Sequence, residues 1–299
     1  MRSTRGLHFT DFILMMIAWV SISSASVLVI LSGATALVCA FWRVFLSSVI
    51  ILSYKAFAEL VWRPKVNLAS PPMYLRSVVA GVLLGLHFLT WMESLFLIPV
   101  ALSTTVVVMY PLINAFFEGI AHKTLRRVEI LGLVLAFAGV VIATQPQLSS
   151  ESGVLGVFLA FIGSLCAAGY FYLGRSSRKS GMSLISYTLI TYTTASLTLL
   201  IYALVTKSTL LPASTNSWIY VFLLAIIPML GGHTIINYLL KRMKSYVVTS
   251  VALGEPPGAT LLAALILGQQ VYAETLGGMT LALIGILITV YGSLENSKT

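Results

Sequence analysis

The feature that most constrains this chain is a succession of ten apolar segments, each about long enough to cross a lipid bilayer. None alternates between apolar and polar residues as a barrel strand does, and turn-forming residues separate them. With only 9% charged residues, a water-soluble or disordered chain is excluded. The sequence predicts an all-α membrane protein with ten transmembrane helices, spans 1–10, at about 12–31, 34–57, 77–97, 100–121, 128–145, 153–174, 183–205, 217–240, 246–267 and 275–294.

The basic residues predict the orientation. With ten spans and both termini in the cytoplasm, sixteen of the eighteen Lys and Arg residues fall inside, Lys207 falls outside, and Arg43 lies within span 2. Such an excess of Lys and Arg is typical of cytoplasmic loops. Span 1 lacks a clear signal-peptide cleavage site, so we keep it as a span. The net charge of +9 is thereby explained, and we expect a multi-pass protein of the inner (plasma) membrane that does not bind nucleic acid.

The chain also indicates an internal duplication. A shift of 146 residues superposes several glycines and prolines, which constrain the backbone more than other residues do. The coincident pairs are Gly85 and Gly231, Pro111 and Pro257, Gly132 and Gly278, and Gly139 and Gly285. Each copy holds five spans, an odd number, so the second copy would insert inverted and place a binding site between the halves. We predict two inverted five-helix repeats, 1–146 and 147–299; the alternative is chance similarity between apolar helices.

Two long stretches and one shorter stretch carry a family resemblance. The first is LTWMESLFLIPVALSTTVVVMYPLINAFFEG, then LGLVLAFAGVVI; the second is GGHTIINYLLKRMKSYVVTSVALGEPPGATLLAALILGQ, then LGGMTLALIGILITVYG; the third is CAAGYFYLGRSSRK. The long stretches resemble the two EamA-type repeats of the drug/metabolite transporter superfamily, and the short one resembles the family's sixth span. The family's Gly-Glu pair after spans 4 and 9 is replaced here by His122-Lys123 and Gly268-Gln269. The resemblance implies a ten-span exporter or exchanger of small metabolites, amino acids among them.

Ionisable residues inside spans are costly and usually face a cavity or a partner. Arg43 lies about nine residues into span 2, and its guanidinium stays charged at ordinary pH. It is either an anchor for an anion or carboxylate, or half of a structural ion pair with Glu255 or Glu93.

A polar stripe marks span 3. His87, Thr90, Trp91 and Ser94 follow the spacing of one helix face. We predict that this face lines the pathway, with His87 donating a hydrogen bond and Trp91 stacking on substrate. The alternative is hydrogen bonding between helices.

The second copy contains matching polar residues. The shift of 146 places His87 on His233, and Asn237 follows one turn later. In span 7, Thr191 belongs to a stripe that either lines the pathway or bonds to carbonyls of its own helix. No third ligand completes a metal site with the two histidines, so no metal is expected.

Prolines interrupt two spans. Glu255 precedes Pro256 and Pro257 near the middle of span 9, and Tyr110-Pro111 is a weaker version in span 4. Proline cannot donate a backbone hydrogen bond, so we predict kinks at these positions. Burial favours the protonated form of a carboxyl group, so Glu255 is a candidate proton carrier; the alternative is a permanent pair with Arg43.

These features favour a secondary transporter, without cofactor, that moves small amphipathic metabolites by alternating access. No phosphate-binding loop is present, which excludes an ATP-driven pump unless another subunit supplies the ATPase. The alternatives are an intramembrane enzyme using Glu255, His87 and His233, or a receptor or accessory subunit. The candidate substrate-binding residues are Trp19, Arg43, His87, Trp91, Tyr110, Thr191, His233 and Asn237.

Overall fold

The computed structural model describes residues 9–62, 70–121, 126–147, 149–212, 214–243 and 245–296, and within these ranges it contains helices and no strand. The α-helices are α1 Phe9–Ser23, α2 Ala25–Leu31, α3 Ala36–Trp62, α4 Pro71–Ser94, α5 Val100–Val107, α6 Tyr110–Ala121, α7 Arg127–Thr144, α8 Glu151–Lys179, α9 Leu184–Thr206, α10 Thr215–Leu224, α11 Ile235–Leu239, α12 Ser245–Thr249, α13 Glu255–Leu267 and α14 Ala273–Asn296. Short 3-10 helices cover Gln145–Gln147 and Ser250–Gly254, and a π-helix covers Ala225–Thr234.

The helices have the lengths that a bilayer requires. Among the described residues, nine helical stretches are long and apolar enough to cross a membrane, and a tenth, Val100–Phe116, is shorter. The predicted all-α membrane fold is therefore confirmed. Large apolar side chains such as Leu204, Val205 and Phe137 are exposed on the outside of the bundle, as expected for a surface in contact with lipid.

Spans 1, 4, 8 and 9 are each divided into more than one helical segment. The divisions in spans 4 and 9 fall near the prolines at which kinks were predicted, whereas those in spans 1 and 8 were not predicted. In three of the four spans a proline explains the break, because proline lacks an N–H and clashes with the carbonyl four residues earlier. Pro111 lies four residues after Val107, where α5 ends, and Pro228 lies four residues after Leu224, where α10 ends. In span 9, the 3-10 helix Ser250–Gly254 leads into α13, which has proline in its first turn.

Helix α4 packs between α8 and α9 through glycines. A Cβ atom on Gly81 would lie 2.6 Å from the carbonyl oxygen of Thr191, and one on Gly85 would lie 3.1 Å from that of Ala195. Without side chains at these positions the backbones of α4 and α9 approach closely, as small residues allow in membrane bundles.

Helices α7 and α14 form an antiparallel pair at the side of the bundle. Gly132 lies against Gly285, and Gly139 lies against Gly278. The shift of 146 residues converts the first contact into the second. It likewise maps the pair Thr289 and Glu129 onto the pair Ala143 and Thr275. A hydrogen bond of 3.4 Å joins each pair, but with the donor on the opposite member: Thr289 donates to the Glu129 carbonyl, and Thr275 donates to the Ala143 carbonyl. This exchange of contacts is what a two-fold axis across the pair produces; the repeat itself remains a prediction.

Loops that the charge pattern assigns to the cytoplasm meet at one end of the bundle. Arg242 pairs with Asp11 at 2.8 Å, and Arg76 donates to Ser176 at 3.0 Å. These contacts join the ends of spans 8 and 1 and of spans 3 and 6. They support the predicted order of crossings, while the side of the membrane remains a prediction.

Candidate functional site

A small cavity lies between the two halves of the chain, near the middle of the bundle. Its volume is about 20 Å³, room for one or two water molecules. Residues of the first half supply most of its lining, and the second half adds a histidine, an isoleucine and a glutamate. The lining residues are Ile22, Ala25, Arg43, His87, Trp91, Val107, Tyr110, His233, Ile236 and Glu255.

Arg43 brings a buried positive charge to the cavity from α3. Its side chain is 1% exposed, and its Cζ atom lies 4.0 Å from the centre of the Phe88 ring. Nε and Nη1 are buried and make no hydrogen bond within the described part of the chain. A buried guanidinium with unused donors is poised to bind an acceptor.

The two predicted partners of Arg43 differ in position. Glu93 is exposed on α4 and does not face the cavity. Glu255 is buried and lines the same cavity as Arg43. Among the residues that the structure describes, no ion pair or hydrogen bond joins Arg43 to Glu255. The two charges therefore share one cavity without direct contact.

His87 and Trp91 lie one turn apart on α4. The Nδ1 atom of His87 donates to the carbonyl oxygen of Gly163 at 2.9 Å, because a carbonyl can only accept. This ring nitrogen is therefore occupied by the protein. The two rings are parallel within 4°, with centroids 6.0 Å apart, and the indole Nε1 of Trp91 is buried without a partner.

His233 projects from the π-helix of span 8 into an aromatic group. Its ring centroid lies 5.1 Å from that of Phe88 and 5.8 Å from that of Phe171. The centroids of His233 and His87 are 6.2 Å apart, so the structure brings together the two histidines that the shift of 146 residues superposes. The Nδ1 atom of His233 is buried and unpartnered among the described residues.

Glu255 reaches the cavity because it starts a new helix near the middle of the membrane-length span. Pro256 and Pro257 occupy the first turn of α13, where no N–H is needed for helix bonding. The matching helix α6 begins at Tyr110, which the shift of 146 places on Pro256. Both spans therefore start a helix within one residue of corresponding positions, and Tyr110 and Glu255 both line the cavity.

Three predicted binding residues do not line the cavity. The Trp19 indole packs against Gly254 and Gly258. The Thr191 hydroxyl donates to the Tyr187 carbonyl of its own helix at 2.7 Å, so bonding within the helix describes it better than lining the pathway. Asn237 donates to the Tyr170 hydroxyl at 2.6 Å.

Sequence reasoning missed the aromatic and apolar parts of the site. Phe88 supports Arg43, and Tyr170 and Phe171 pack near His233. An aromatic residue in an apolar span is indistinguishable by pattern from one that faces lipid. Only the neighbouring polar residues in span 3 gave a signal for Phe88. Among the described residues, no three His, Cys, Asp or Glu side chains come together in a metal-binding arrangement.

Comparison with known proteins shows a match between part of the sequence and a known family. Residues 154–291 match the EamA-like transporter family. No curated protein matches the sequence. One solved structure, described as "Crystal structure of protein", resembles the chain with a TM-score of 0.67 at 16% identity, over 94% of this chain and 96% of that chain. That likeness concerns the fold alone. The greater part of the second half of the chain is therefore similar to the EamA-like transporters of the drug/metabolite transporter superfamily.

Proposed function

We propose that this membrane transporter is a secondary exporter or exchanger of small amphipathic metabolites, with amino acids as the leading class. The observation that carries this proposal is the cavity between the two halves, lined by residues of both. Movement of one half against the other would open such a cavity to either side in turn. The exchange of contacts between α7 and α14 supports an inverted arrangement of the halves.

The charges of the cavity favour substrates with little net charge. Arg43 and Glu255 offer one charge of each sign, while Ile22, Val107 and Ile236 offer apolar surface. A few polar groups in an apolar cavity are typical of small-molecule sites. The cavity would have to widen to hold an amino acid, since it now has room for about two waters at most. Outward transport and amino acids as substrates rest on the family resemblance.

Metabolite profiling tests the function directly. Cells that overproduce the protein should lose the transported metabolite to the medium, and cells that lack the gene should retain it. Purified protein in liposomes should then exchange that metabolite across the membrane, whereas liposomes without protein should not. Turnover of a compound by protein in detergent, with no flux in liposomes, would favour an enzyme instead.

Glu255 is the proposed site of proton coupling. If it carries a proton, an imposed pH gradient should drive flux in liposomes, and Glu255→Gln should abolish that response while leaving exchange intact. Glu274→Gln provides the control, because Glu274 is exposed at the start of α14 and does not line the cavity. Flux in the unmutated protein that ignores the gradient would leave exchange or facilitated diffusion, with Glu255 structural.

The proposed topology places both termini in the cytoplasm of a cell whose inner membrane holds the protein. Reporters fused after Thr299 and within the 147–151 loop should lie on opposite sides of the membrane. Reporters on the same side would contradict the count of ten crossings.

A further inference from the structure

Two side chains of the cavity can only donate hydrogen bonds, and both have unused donors. Arg43 carries five N–H groups and Trp91 carries one, and neither side chain has an acceptor atom. Nε and Nη1 of Arg43 and Nε1 of Trp91 are buried without a partner in the part of the chain that the structure describes. Buried polar groups in native proteins almost always have partners. What meets these donors must therefore supply acceptor oxygens.

Neighbouring rings hold both donors in place. Phe88 covers one face of the Arg43 guanidinium, so a ligand approaches its edge, where the N–H groups point. His87 lies parallel to the Trp91 indole and is itself tied to the Gly163 carbonyl. The donors are thus fixed in position by packing although their hydrogen bonds are unmade. A site prepared in this way gains affinity because little side-chain freedom is lost on binding.

We propose that Arg43 and Trp91 together bind a free carboxylate of the substrate, and that His87 acts as a positioning residue by holding the Trp91 indole. The proposal rests on the proposed transport function and names the group by which the substrate is recognised. A carboxylate fits the planar fork of a guanidinium with two parallel hydrogen bonds. Its single charge leaves the cavity neutral once Glu255 faces an ammonium group, whereas a phosphate dianion would be repelled by Glu255.

Matched pairs of an acid and its amide test the carboxylate contact. We would measure the thermal stabilisation of purified protein by L-phenylalanine and L-phenylalaninamide, and by L-leucine and L-leucinamide, since a ligand of the folded state raises Tm. Each pair shares its side chain and ammonium group and differs only at the carboxylate. The acids should bind the unmutated protein about tenfold or more tightly than the amides.

Substitutions separate the two donors. Trp91→Phe keeps an aromatic ring and removes the N–H, so it should weaken binding of the acids by about tenfold and change the amides by less than about twofold. Arg43→Lys keeps the charge but loses the fork, and the acid-to-amide ratio should fall again. Trp218→Phe is the control for a Trp-to-Phe change, because Trp218 packs on Trp42 outside the cavity.

His87 is tested through the same ratio. His87→Gln should lower the ratio of acid to amide affinity, as Trp91→Phe does. The double variant should lower this ratio no more than Trp91→Phe alone, because both substitutions remove the same interaction, the hydrogen bond from Trp91 to the carboxylate. A merely structural role would weaken acids and amides equally.

Three outcomes would overturn the inference: amides that bind as tightly as acids, a Trp91→Phe variant that weakens both alike, or no stabilisation by either acid. Flux of amphipathic solutes without any preference for a carboxylate would remove this inference and leave the transport function standing. Tight binding of the acids with no flux would remove the proposed transport function and leave this inference standing.

Discussion

The two spans that carry His87 and His233, the histidines superposed by the shift of 146 residues, differ in their backbones. Span 3 is one regular helix, α4, and its Gly81 and Gly85 press directly on the backbone of α9. Span 8 changes from α10 to a π-helix and back to α11, with Pro228 inside the π-helix. At Gly231, which corresponds to Gly85, a Cβ atom would lie nearest to the Ser21 side chain, at 2.9 Å, and would lie 3.7 Å from the Ile226 carbonyl oxygen.

The difference indicates which wall of the cavity can move. His87 is bonded to Gly163, whereas the Nδ1 atom of His233 has no partner among the described residues. A π-helix is less stable than an α-helix and is common at functional sites. We therefore interpret span 3 as the fixed wall, which carries the recognition groups, and span 8 as the adaptable wall, whose movement widens the cavity.

The largest expected effect concerns Arg43, which rests on Phe88 of the fixed wall. Arg43→Gln should leave the protein folded but lower flux by about a hundredfold, because charge-assisted hydrogen bonds to the substrate are lost. Flux in liposomes and a size-exclusion profile in detergent measure the two effects separately. If the Arg43→Gln variant fails to fold and the second substitution Glu255→Gln restores folding, Arg43 and Glu255 instead form a structural charge pair.

Glycine substitutions compare the rigidity of the two walls. Gly81→Ala should destabilise the protein by about 1–3 kcal/mol, because overpacking displaces backbone and the new Cβ would meet the Thr191 carbonyl at 2.6 Å. Gly231→Ala should be milder, since its nearest contact is the Ser21 hydroxyl at 2.9 Å, which can rotate away. Thermal unfolding in detergent measures both. Equal losses would remove the distinction between the walls.

The histidines provide the smallest and most specific comparison. His87→Phe should destabilise by about 1 kcal/mol, because the hydrogen bond to Gly163 is lost. His233→Phe should be neutral or stabilising, because it replaces an unpartnered buried nitrogen in an aromatic group. Thermal unfolding again gives the result. If His233→Phe is the more destabilising change, its ring nitrogen has a partner that is essential for folding.

The sequence predicts the site best where an ionisable group lies in an apolar span. Arg43, His233 and Glu255 all line the cavity. An ionisable side chain that faces lipid is so unfavourable that the residue type alone indicates a position facing the interior of the bundle. The same argument does not apply to Thr191. A threonine hydroxyl can donate its hydrogen bond to a carbonyl of its own helix, as Thr191 does, and therefore needs no cavity.

Backbone changes were harder to predict. Proline in an apolar span can break, kink or begin a helix, and the pattern does not say which of these occurs. Pro256 begins α13, while Pro228 lies inside a π-helix that hydrophobic periodicity does not identify. The surroundings decide between these outcomes, and they are set by residues far away in the sequence.

The contacts between α7 and α14 have a consequence for how the halves stay together. In a symmetric homodimer, one patch meets its own copy, so every substitution acts twice and assembly depends on concentration. Here the two patches lie in one chain, and assembly is independent of expression level. Each patch can also change alone: Thr289 has a hydroxyl where its counterpart, Ala143, has none. In the predicted duplication, the contact between α7 and α14 is thus equivalent to a dimer interface within one chain, and each side of it can change independently.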